Sequence, residues 1–262
     1  MFIDSHAHLT GPDVIDHVEE MLQRAEQHGI KAIVNVCTDQ ASLDKGLALA
    51  KRHRWIFNAA AATPHDVAKI GDSFFPLVAR LAREGGLIAI GETGLDYHYE
   101  HSPKDLQKEH LLKYVELAIE TKLPLIFHCR DAFEDLEDLT QNLTRGKDFP
   151  AVLHCFTGTL EEAKTCLKRG WMISMSGIVT FKNSASLRDV AKYIPLDRLL
   201  IETDTPYLAP LSKRGKMNEP GYVVETAALI AGLKGISTEE LGHATARNAA
   251  QFFSFPKHII DV

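Results

Sequence analysis

The chain has 262 residues, of which 45% are hydrophobic and 24% charged, and its formal net charge is -6. This length fits one α/β barrel or two small domains, and a core of that size forms without disulfide or metal staples. The mild acidity argues against nucleic-acid binding through overall charge, so phosphate binding would depend on local groups or metal ions.

The sequence carries four cysteines that lie far apart and form no CxxC pair, at positions 37, 129, 155 and 166. This pattern excludes a zinc ribbon and a disulfide framework, and it favours reduced thiols and a cytoplasmic location. We expect no signal peptide and no association with a membrane, since no apolar run approaches the ~20 residues of a membrane span. No feature of the sequence indicates an obligate protein partner.

Short β-rich runs alternate with helical patterns along the whole chain. The predicted strands are 2–8, 31–37, 55–63, 87–95, 124–129, 151–156, 171–177 and 199–204. The strongest helical pattern covers 103–121, with Ser102 as expected N-cap and Pro103 at the first helical position. Eight strand–helix units predict a single-domain α/β fold over residues 1–262, a TIM-type (β/α)8 barrel. A doubly wound sheet is the alternative, but the first strand lacks the expected GxGxxG turn.

Two histidines, His6 and His8, stand at alternate positions of the first predicted strand, beside Asp4. Side chains at i and i+2 of a strand point to the same face, so both imidazoles would converge on one point. They are either a pair of metal ligands or two polar residues near a fraying end.

Polar side chains recur at the C-terminal ends of the other predicted strands. The complete set is His6, His8, Glu92, His128, His154 and Asp204. Active sites of barrel enzymes assemble at this end, so residues far apart in sequence would surround one opening. A lone histidine in a strand more often packs or hydrogen-bonds, but a buried glutamate and aspartate need cations nearby.

Four imidazoles and two carboxylates exceed what one catalytic zinc requires, and they suit two divalent ions per subunit ~3.5–4 Å apart. We expect Glu92 to bridge the ions. His6, His8 and Asp204 would complete one site, and His128 and His154 the other. The metal could be Mg²⁺, Mn²⁺ or Zn²⁺. Hydroxide held between the ions would be the nucleophile, with Asp204 taking or orienting its proton.

Several residues beside these ligands have two interpretations. Alternation predicts that Cys129 and Cys155 point to the helix layer as small hydrophobic groups rather than thiolate ligands. Arg130 is either a contact for a substrate anion or a member of a surface ion pair. Glu202 either hydrogen-bonds a ligand histidine or forms a buried salt bridge.

The stretch after the last predicted strand, residues 205–220, is basic. It carries Lys213, Arg214, Lys216 and Asn218. Beside the metal ions these side chains could bind phosphate through charge-assisted hydrogen bonds. The alternative is a solvated basic loop, which is the usual fate of such a run.

The chain resembles the TatD-like metal-dependent deoxyribonucleases of the amidohydrolase superfamily. The matching segments are DSHAHL (4–9), IGETGLDY (90–97), HCRDA (128–132), LHCFTG (153–158), SGIVTFKN (176–183), ETDTPYLAP (202–210) and RGKMNEP (214–220). The resemblance implies a barrel with two divalent ions and the same six ligands. It also implies DNA as the substrate, with phosphodiester hydrolysis that is exonucleolytic on single-stranded or frayed ends.

One segment departs from the family pattern. The family often has G-x-H-P at the end of the third strand, whereas this chain has Ala61, Ala62, Thr63 and Pro64, followed by His65. Thr63 therefore replaces a histidine near the scissile phosphate, and His65 is a candidate to compensate.

Two other kinds of function stay open at the level of sequence. The same binuclear site could hydrolyse an ester, a lactone or an amide, because neither fold nor metal selects the substrate. A non-catalytic scaffold is the third, and the complete ligand set argues against it.

Overall fold

The computed structural model describes residues 1–259 as one barrel. The strands are β1 (Phe2–Ala7), β2 (Ile30–Cys37), β3 (Ile56–Ala60), β4 (Ala89–Asp96), β5 (Leu125–Arg130), β6 (Ala151–Leu153), β7 (Met172–Met175) and β8 (Leu199–Ile201). The α-helices are α1 (Val18–Gln27), α2 (Gln40–Arg52), α3 (Val67–Ile70), α4 (Phe75–Arg83), α5 (Lys104–Thr121), α6 (Phe133–Thr144), α7 (Leu160–Lys168), α8 (Ala185–Tyr193), α9 (Val223–Lys234) and α10 (Thr238–Phe252). Short 3-10 helices cover Ile15–His17, Gly71–Ser73, Gly177–Thr180, Leu196–Arg198, Leu211–Lys213, Pro220–Tyr222 and Lys257–Ile259.

All eight strands are parallel and lie in the order β1 to β8. The backbone N–H of Asp204 donates to His6 O at 2.9 Å, and that of His8 donates to Thr205 O at 2.7 Å. These bonds join β1 to the segment that follows β8 and close the barrel. The predicted TIM-type (β/α)8 fold is therefore confirmed, while residues 260–262 of the expected single domain lie outside the described part.

The strands form because their residues are apolar on both faces. One face packs against the helices, and the other fills the lower barrel interior. The interior set includes Ile3, Val34, Ile126, Val152, Leu200, Phe253 and Phe255. The polar residues are left at the upper end, where the carboxyl ends of the strands open. Within residues 1–259, every helix lacks the combination of length and apolar character needed to cross a bilayer.

Five strands, β1, β3, β6, β7 and β8, end one to three residues earlier than predicted. β6 ends at Leu153 and β8 at Ile201, so His154 and Asp204 lie just beyond the strands that were expected to carry them. Cys155 and Asp204 both have left-handed backbone conformations, with φ of 44° and 61°. A non-glycine residue in this region breaks the extended ladder, and hydrophobic alternation gives no sign of it.

The start of α5 also differs from the prediction. The helix begins at Lys104, and Ser102 makes no capping hydrogen bond. Instead Ser102 Oγ donates to His65 O at 2.9 Å and accepts from the backbone N–H of Ala68 at 3.1 Å. Ser102 therefore ties the segment after β4 to the segment after β3.

Candidate metal centre

Glu92 lies on β4 with its two carboxylate oxygens directed to opposite sides. Oε2 lies 3.5 Å from His6 Nε2 and 3.6 Å from His8 Nε2. Oε1 lies 2.8 Å from His128 Nδ1 and 2.9 Å from His154 Nε2. One buried carboxylate thus faces two pairs of imidazoles, and the rings of His6 and His154, one from each pair, stack with centres 3.9 Å apart.

On the side of β1 and β8, three donor atoms lie close to one another. His6 Nε2 and His8 Nε2 are 3.3 Å apart, and they lie 3.7 and 3.5 Å from Asp204 Oδ1. Four ligands about 2.1 Å from a tetrahedral zinc would be separated from one another by about 3.4 Å. Together with Glu92 Oε2, this donor set therefore fits a divalent cation.

On the side of β5 and β6, each imidazole lies between two carboxylates. His128 Nδ1 faces Glu92 and its Nε2 lies 2.9 Å from Asp96 Oδ2. His154 Nε2 faces Glu92 and its Nδ1 lies 3.2 Å from Glu202 Oε1. His128 Nδ1 and His154 Nε2 are 3.4 Å apart. Glu92 Oε1 and these two nitrogens form a second group that could hold a cation.

Burial and charge pull the pKa values of this cluster in opposite directions. Burial alone would raise the pKa of Glu92, but the imidazoles of His154, His128 and His6 outweigh it and hold that pKa well below its usual range. Burial would lower the pKa of His154, yet Glu92 and Glu202 raise it well above the ordinary value. The pKa of His6 is lowered, first by burial and then by the nearby His154. Burial would lower the pKa of His8 too, yet Asp204 and Glu92 raise it.

Two carboxylates, of Asp96 and Glu202, contact the ring nitrogens of His128 and His154 that face away from Glu92. Asp96, the last residue of β4, was not singled out from the sequence. Its Oδ1 accepts from the backbone N–H groups of His98 and Tyr99, which leaves Oδ2 for His128. Its position four residues after Glu92 on one strand, on the same face, is the signal that could have found it.

Glu202 lies fully buried below the opening. Besides His154 it accepts a hydrogen bond from the backbone N–H of Cys155 at 2.6 Å, and its Oε2 has no partner among the described residues. A carboxylate behind a metal-binding imidazole fixes the ring and its tautomer. Of the two interpretations drawn from the sequence, the geometry fits an outer partner of a ligand histidine.

The two cysteines next to ligand histidines behave differently. Cys129 packs against the hydrophobic core, as alternation predicts. Cys155 does not, because the chain has already left β6, and its Sγ lies 3.2 Å from Ser176 Oγ near the centre. Burial, with Asp204 and Glu202 nearby, raises the pKa of the Cys155 thiol well above its usual value. The expected orientation of Cys155 is therefore wrong, although the thiol still disfavours the thiolate.

His65 stands beside the β5/β6 side of the centre. Its Nε2 lies 3.6 Å from Asp96 Oδ2, and its ring centre is 5.1 Å from that of His128. Thr63 is buried and donates to Asp66 Oδ2 at 3.3 Å, so it shapes the turn that presents His65. Burial, followed by the influence of His128, lowers the pKa of His65.

The basic residues expected at the opening fall into distinct environments. The Arg130 guanidinium lies over the Tyr99 ring, 4.7 Å from its centre, and forms no ion pair with the residues that the structure describes. Arg214 is exposed, 6.0 Å from the centre of the Phe181 ring. Lys213 approaches Glu225 at 3.9 Å, and Lys216 is exposed. Arg214 and Lys216 are thus the members of this loop that remain accessible to a phosphate.

The prediction that Asn218 binds phosphate does not fit its surroundings. The side chain is fully buried, and its amide Nδ2 donates to Thr203 O and Tyr207 O at 2.7 and 2.6 Å. Its Oδ1 accepts from the backbone N–H of Glu219. All its polar atoms are used by the backbone, so Asn218 shapes the loop after β8 and cannot contact a substrate as expected.

The chain is similar in sequence to known proteins over nearly its whole length. The family model described as TatD related DNase matches residues 3–254. A Bacillus subtilis (strain 168) protein named as an uncharacterized metal-dependent hydrolase, YabD, is 38% identical over 97% of this chain and 99% of its own length. An Erwinia billingiae (strain Eb661) protein named as a 3'-5' ssDNA/RNA exonuclease, TatD, is 33% identical over 97% of this chain and 99% of its own length.

The fold has a solved counterpart as well. The crystal structure of YJJV, a TatD homologue from Escherichia coli K12, superimposes with a TM-score of 0.89 at 28% sequence identity. The match covers 97% of this chain and 98% of the other. The similarity therefore extends over the whole barrel, including every strand end that contributes to the candidate centre.

Proposed function

The chain belongs to the TatD related DNase family of metal-dependent hydrolases, and from this premise we propose that it hydrolyses phosphodiester bonds in DNA. Two divalent cations, Mg²⁺, Mn²⁺ or Zn²⁺, would be held by the six residues His6, His8, Glu92, His128, His154 and Asp204. The substrate would be a single-stranded or frayed end, attacked exonucleolytically. The Erwinia relative is named as a 3'-5' ssDNA/RNA exonuclease, which supports this choice of substrate.

The observation that carries the proposal is the division of Glu92 between two donor groups. Oε2 faces His6 Nε2 and His8 Nε2, and Oε1 faces His128 Nδ1 and His154 Nε2, each within 3.6 Å. A carboxylate that gives one oxygen to each of two cations is the arrangement of binuclear hydrolytic sites. A purely structural glutamate would not need four imidazoles around it.

Bound divalent cations supply electrophilic stabilisation of the phosphate and lower the pKa of water so that it attacks near neutral pH. Asp204 is placed to take or orient the proton of that water, because its carboxylate stands at the opening, with Oδ1 3.5 Å from His8 Nε2. Asp96 and Glu202 hold His128 and His154 in place. A terminal phosphodiester would reach this point through the open upper end of the barrel.

Two further residues are proposed to act on the phosphate. His65 has an imidazole beside His128 with 29% of its side chain exposed, so it can approach the leaving oxygen in place of the histidine that Thr63 replaces. Arg214 is exposed in the loop after β8 and can pair with the phosphate backbone.

The test uses single-stranded DNA labelled at either end, with purified protein and added Mg²⁺ or Mn²⁺. We expect stepwise shortening from one end by the wild-type protein and its loss in Asp204→Asn and Glu92→Gln. Glu84→Gln, which changes an exposed carboxylate paired with Arg80, serves as the matched control. The two end labels distinguish 3'-to-5' from 5'-to-3' digestion.

Cleavage that survives in both site variants would show a contaminating nuclease or a different site, and it would overturn the proposal. Absence of DNA cleavage, together with turnover of a phosphate-free ester, lactone or amide, would instead assign the same centre to the alternative chemistry. Both interpretations require that the control variant Glu84→Gln retains wild-type activity.

A further inference from the structure

The segment between β4 and α5 presents a row of exposed ring side chains beside the centre. His98, Tyr99 and His101 are all exposed, and Tyr99 keeps 52% of its surface accessible although it lies among other side chains. The segment therefore offers ring surface that the fold itself does not use.

Tyr99 and His101 form an ordered stack rather than a loose loop. Their rings are parallel within 1°, with centres 5.3 Å apart. The Arg130 guanidinium lies 4.7 Å from the Tyr99 ring centre, and His98 meets the same ring edge-on at 4.8 Å. A cation and an imidazole thus arrange themselves around one tyrosine, which favours stacking with a further flat, electron-rich group.

Hydrogen bonds from the Gln107 and Asp96 side chains hold the backbone of this segment in place. Gln107 Nε2 donates to Asp96 O and Ser102 O, and its Oε1 accepts from the backbone N–H of Asp96 at 2.8 Å. Asp96 Oδ1 accepts from the backbone N–H groups of His98 and Tyr99. Because the loop is held at both ends, little conformational freedom would be lost when a ligand binds to it.

The stack is connected to the candidate centre by a single ring. His65 contacts Tyr99 and His101 edge-on, with centres 5.8 and 5.5 Å apart, and on its other side it lies 5.1 Å from His128. A nucleotide whose phosphate lies at the centre could therefore place a neighbouring base on the stack.

The charges around the stack are balanced except for one cation. Glu100 pairs with Lys104 at 3.2 Å and Asp131 with His98 at 3.2 Å. Arg130 forms no ion pair with the described residues and lies over the Tyr99 ring, so it can add a cation–π contribution to base stacking.

Three other aromatic residues lie near the opening. The Tyr97 hydroxyl donates to Asp135 Oδ2 at 2.5 Å, and Lys104 covers its ring at 4.3 Å. Phe181 is half-buried. Tyr207 is 56% exposed, but the ring it contacts among the described residues, that of His8, meets it edge-on at 6.1 Å. Tyr99 is thus the ring of the four that is both exposed and stacked face to face on another ring.

We propose that Tyr99 and His101, with Arg130, form a stacking surface for an unpaired nucleobase of the strand that enters the centre. The inference rests on the proposed DNA substrate and makes it more specific. Every base has an aromatic face, so the surface accepts any sequence. Bases in a duplex are already stacked on their neighbours, so this surface selects single-stranded or frayed ends.

The experiment compares Tyr99→Ala with wild type on two oligonucleotides, one with all bases and one with abasic residues near the cleaved end. We expect Tyr99→Ala to raise KM on the first oligonucleotide about tenfold with little change in kcat, since one stacked base contributes on this scale. The abasic oligonucleotide should show no difference between the two proteins, and Tyr99→Phe should restore wild-type KM.

Tyr193→Ala is the matched control, because Tyr193 is 49% exposed and lies under a lysine, 5.8 Å from Lys164, at the far end of α8. Binding of both oligonucleotides is measured in parallel by fluorescence anisotropy with Ca²⁺. Equal binding and equal KM for wild type and Tyr99→Ala would overturn the inference. Failure of the proposed function appears differently, as wild-type protein that binds the oligonucleotide but never cleaves it.

Discussion

The two sides of Glu92 contain the same kinds of ligand but differ in the spacing of their donor atoms and in their hydrogen bonds. On the β1/β8 side, His6, His8 and Asp204 lie 3.3–3.7 Å from one another around a common point. On the β5/β6 side, His128 and His154 contact Glu92 Oε1 directly at 2.8 and 2.9 Å. The first side is spaced for a cation, while the second is closed by hydrogen bonds.

The outer partners explain the difference. Each imidazole of the β5/β6 side has a carboxylate on both ring nitrogens, which raises its pKa although burial alone would lower it. His8 Nδ1 faces only the backbone carbonyl of Val36, and His6 Nδ1 has no partner among the described residues. Asp204 and Glu92 outweigh burial and raise the pKa of His8 as well. A cation must therefore compete with protons on both sides, at His8 on one and at His128 and His154 on the other. The two ions should differ in their affinity and in their response to pH.

Glu92→Gln should have the largest effect, because it removes the charge that both sides share. We expect DNA hydrolysis to fall more than about 1000-fold, since a lost cation costs several kcal/mol of transition-state stabilisation. Elemental analysis of the purified variant should show fewer ions per chain than the wild type. Wild-type metal content with normal activity would show that Glu92 does not bridge two cations.

Lowering the pH should weaken metal binding on the β5/β6 side. Below the raised pKa values of His128 and His154 each imidazole holds a proton that the cation must displace, so apparent affinity falls about tenfold per pH unit for each displaced proton. Calorimetric titration with Mn²⁺ in buffers of different ionisation enthalpy measures the proton release. A titration with no dependence on pH or buffer would contradict this account.

Removal of the metal ions with a chelator should make the thermal stability of the protein depend on the protonation of His128 and His154. A group with a raised folded-state pKa stabilises the fold below its unfolded pKa, and that contribution is lost as the pH rises through the folded value. The metal-free protein should therefore lose Tm as the pH rises through the raised pKa of His154, whereas the metal-loaded protein should not. Thermal unfolding with and without EDTA across this range provides the measurement.

Glu202→Gln and Asp96→Asn should weaken the β5/β6 side selectively. Loss of the outer carboxylate typically costs about 10–100-fold in metal affinity. We expect one of two binding steps to shift in a Mn²⁺ titration while the other stays at its wild-type value. Equal weakening of both steps would indicate a general loss of structure instead.

Arg214→Ala should have the smallest effect, because the side chain is exposed. We expect a few-fold rise in KM for single-stranded DNA at low salt, and a fall of about 0.7 in the slope of log affinity against log salt. Lys147→Ala removes the same charge from an exposed position just before β6, at the opposite end of the barrel. An identical salt response in both variants would exclude a specific contact.

Much of the architecture follows from the sequence because its signals are local. The apolar strands, their alternation with helices and the spacing of His6 and His8 predict the barrel and the convergence of polar residues at one end. The strand ends at Leu153 and Ile201 do not follow, since they depend on left-handed conformations at Cys155 and Asp204. Periodicity cannot indicate a single residue that leaves the ladder.

The outer layer of the centre was harder to predict, because it depends on contacts between distant segments. Asp96 reaches His128 across two strands, and Ser102 bonds to the loop of His65 rather than capping α5. Asn218 looked like a phosphate ligand in a basic run, but the backbone carbonyls of Thr203 and Tyr207 use its amide. Sequence gives the residue type in each case and not its partner.

The most direct test of a shared Glu92 is anomalous diffraction from crystals of the protein grown with Mn²⁺. The account predicts two anomalous peaks on either side of the Glu92 carboxylate, one flanked by His6, His8 and Asp204 and the other by His128 and His154. A single peak, or two peaks that do not both contact Glu92, would contradict it.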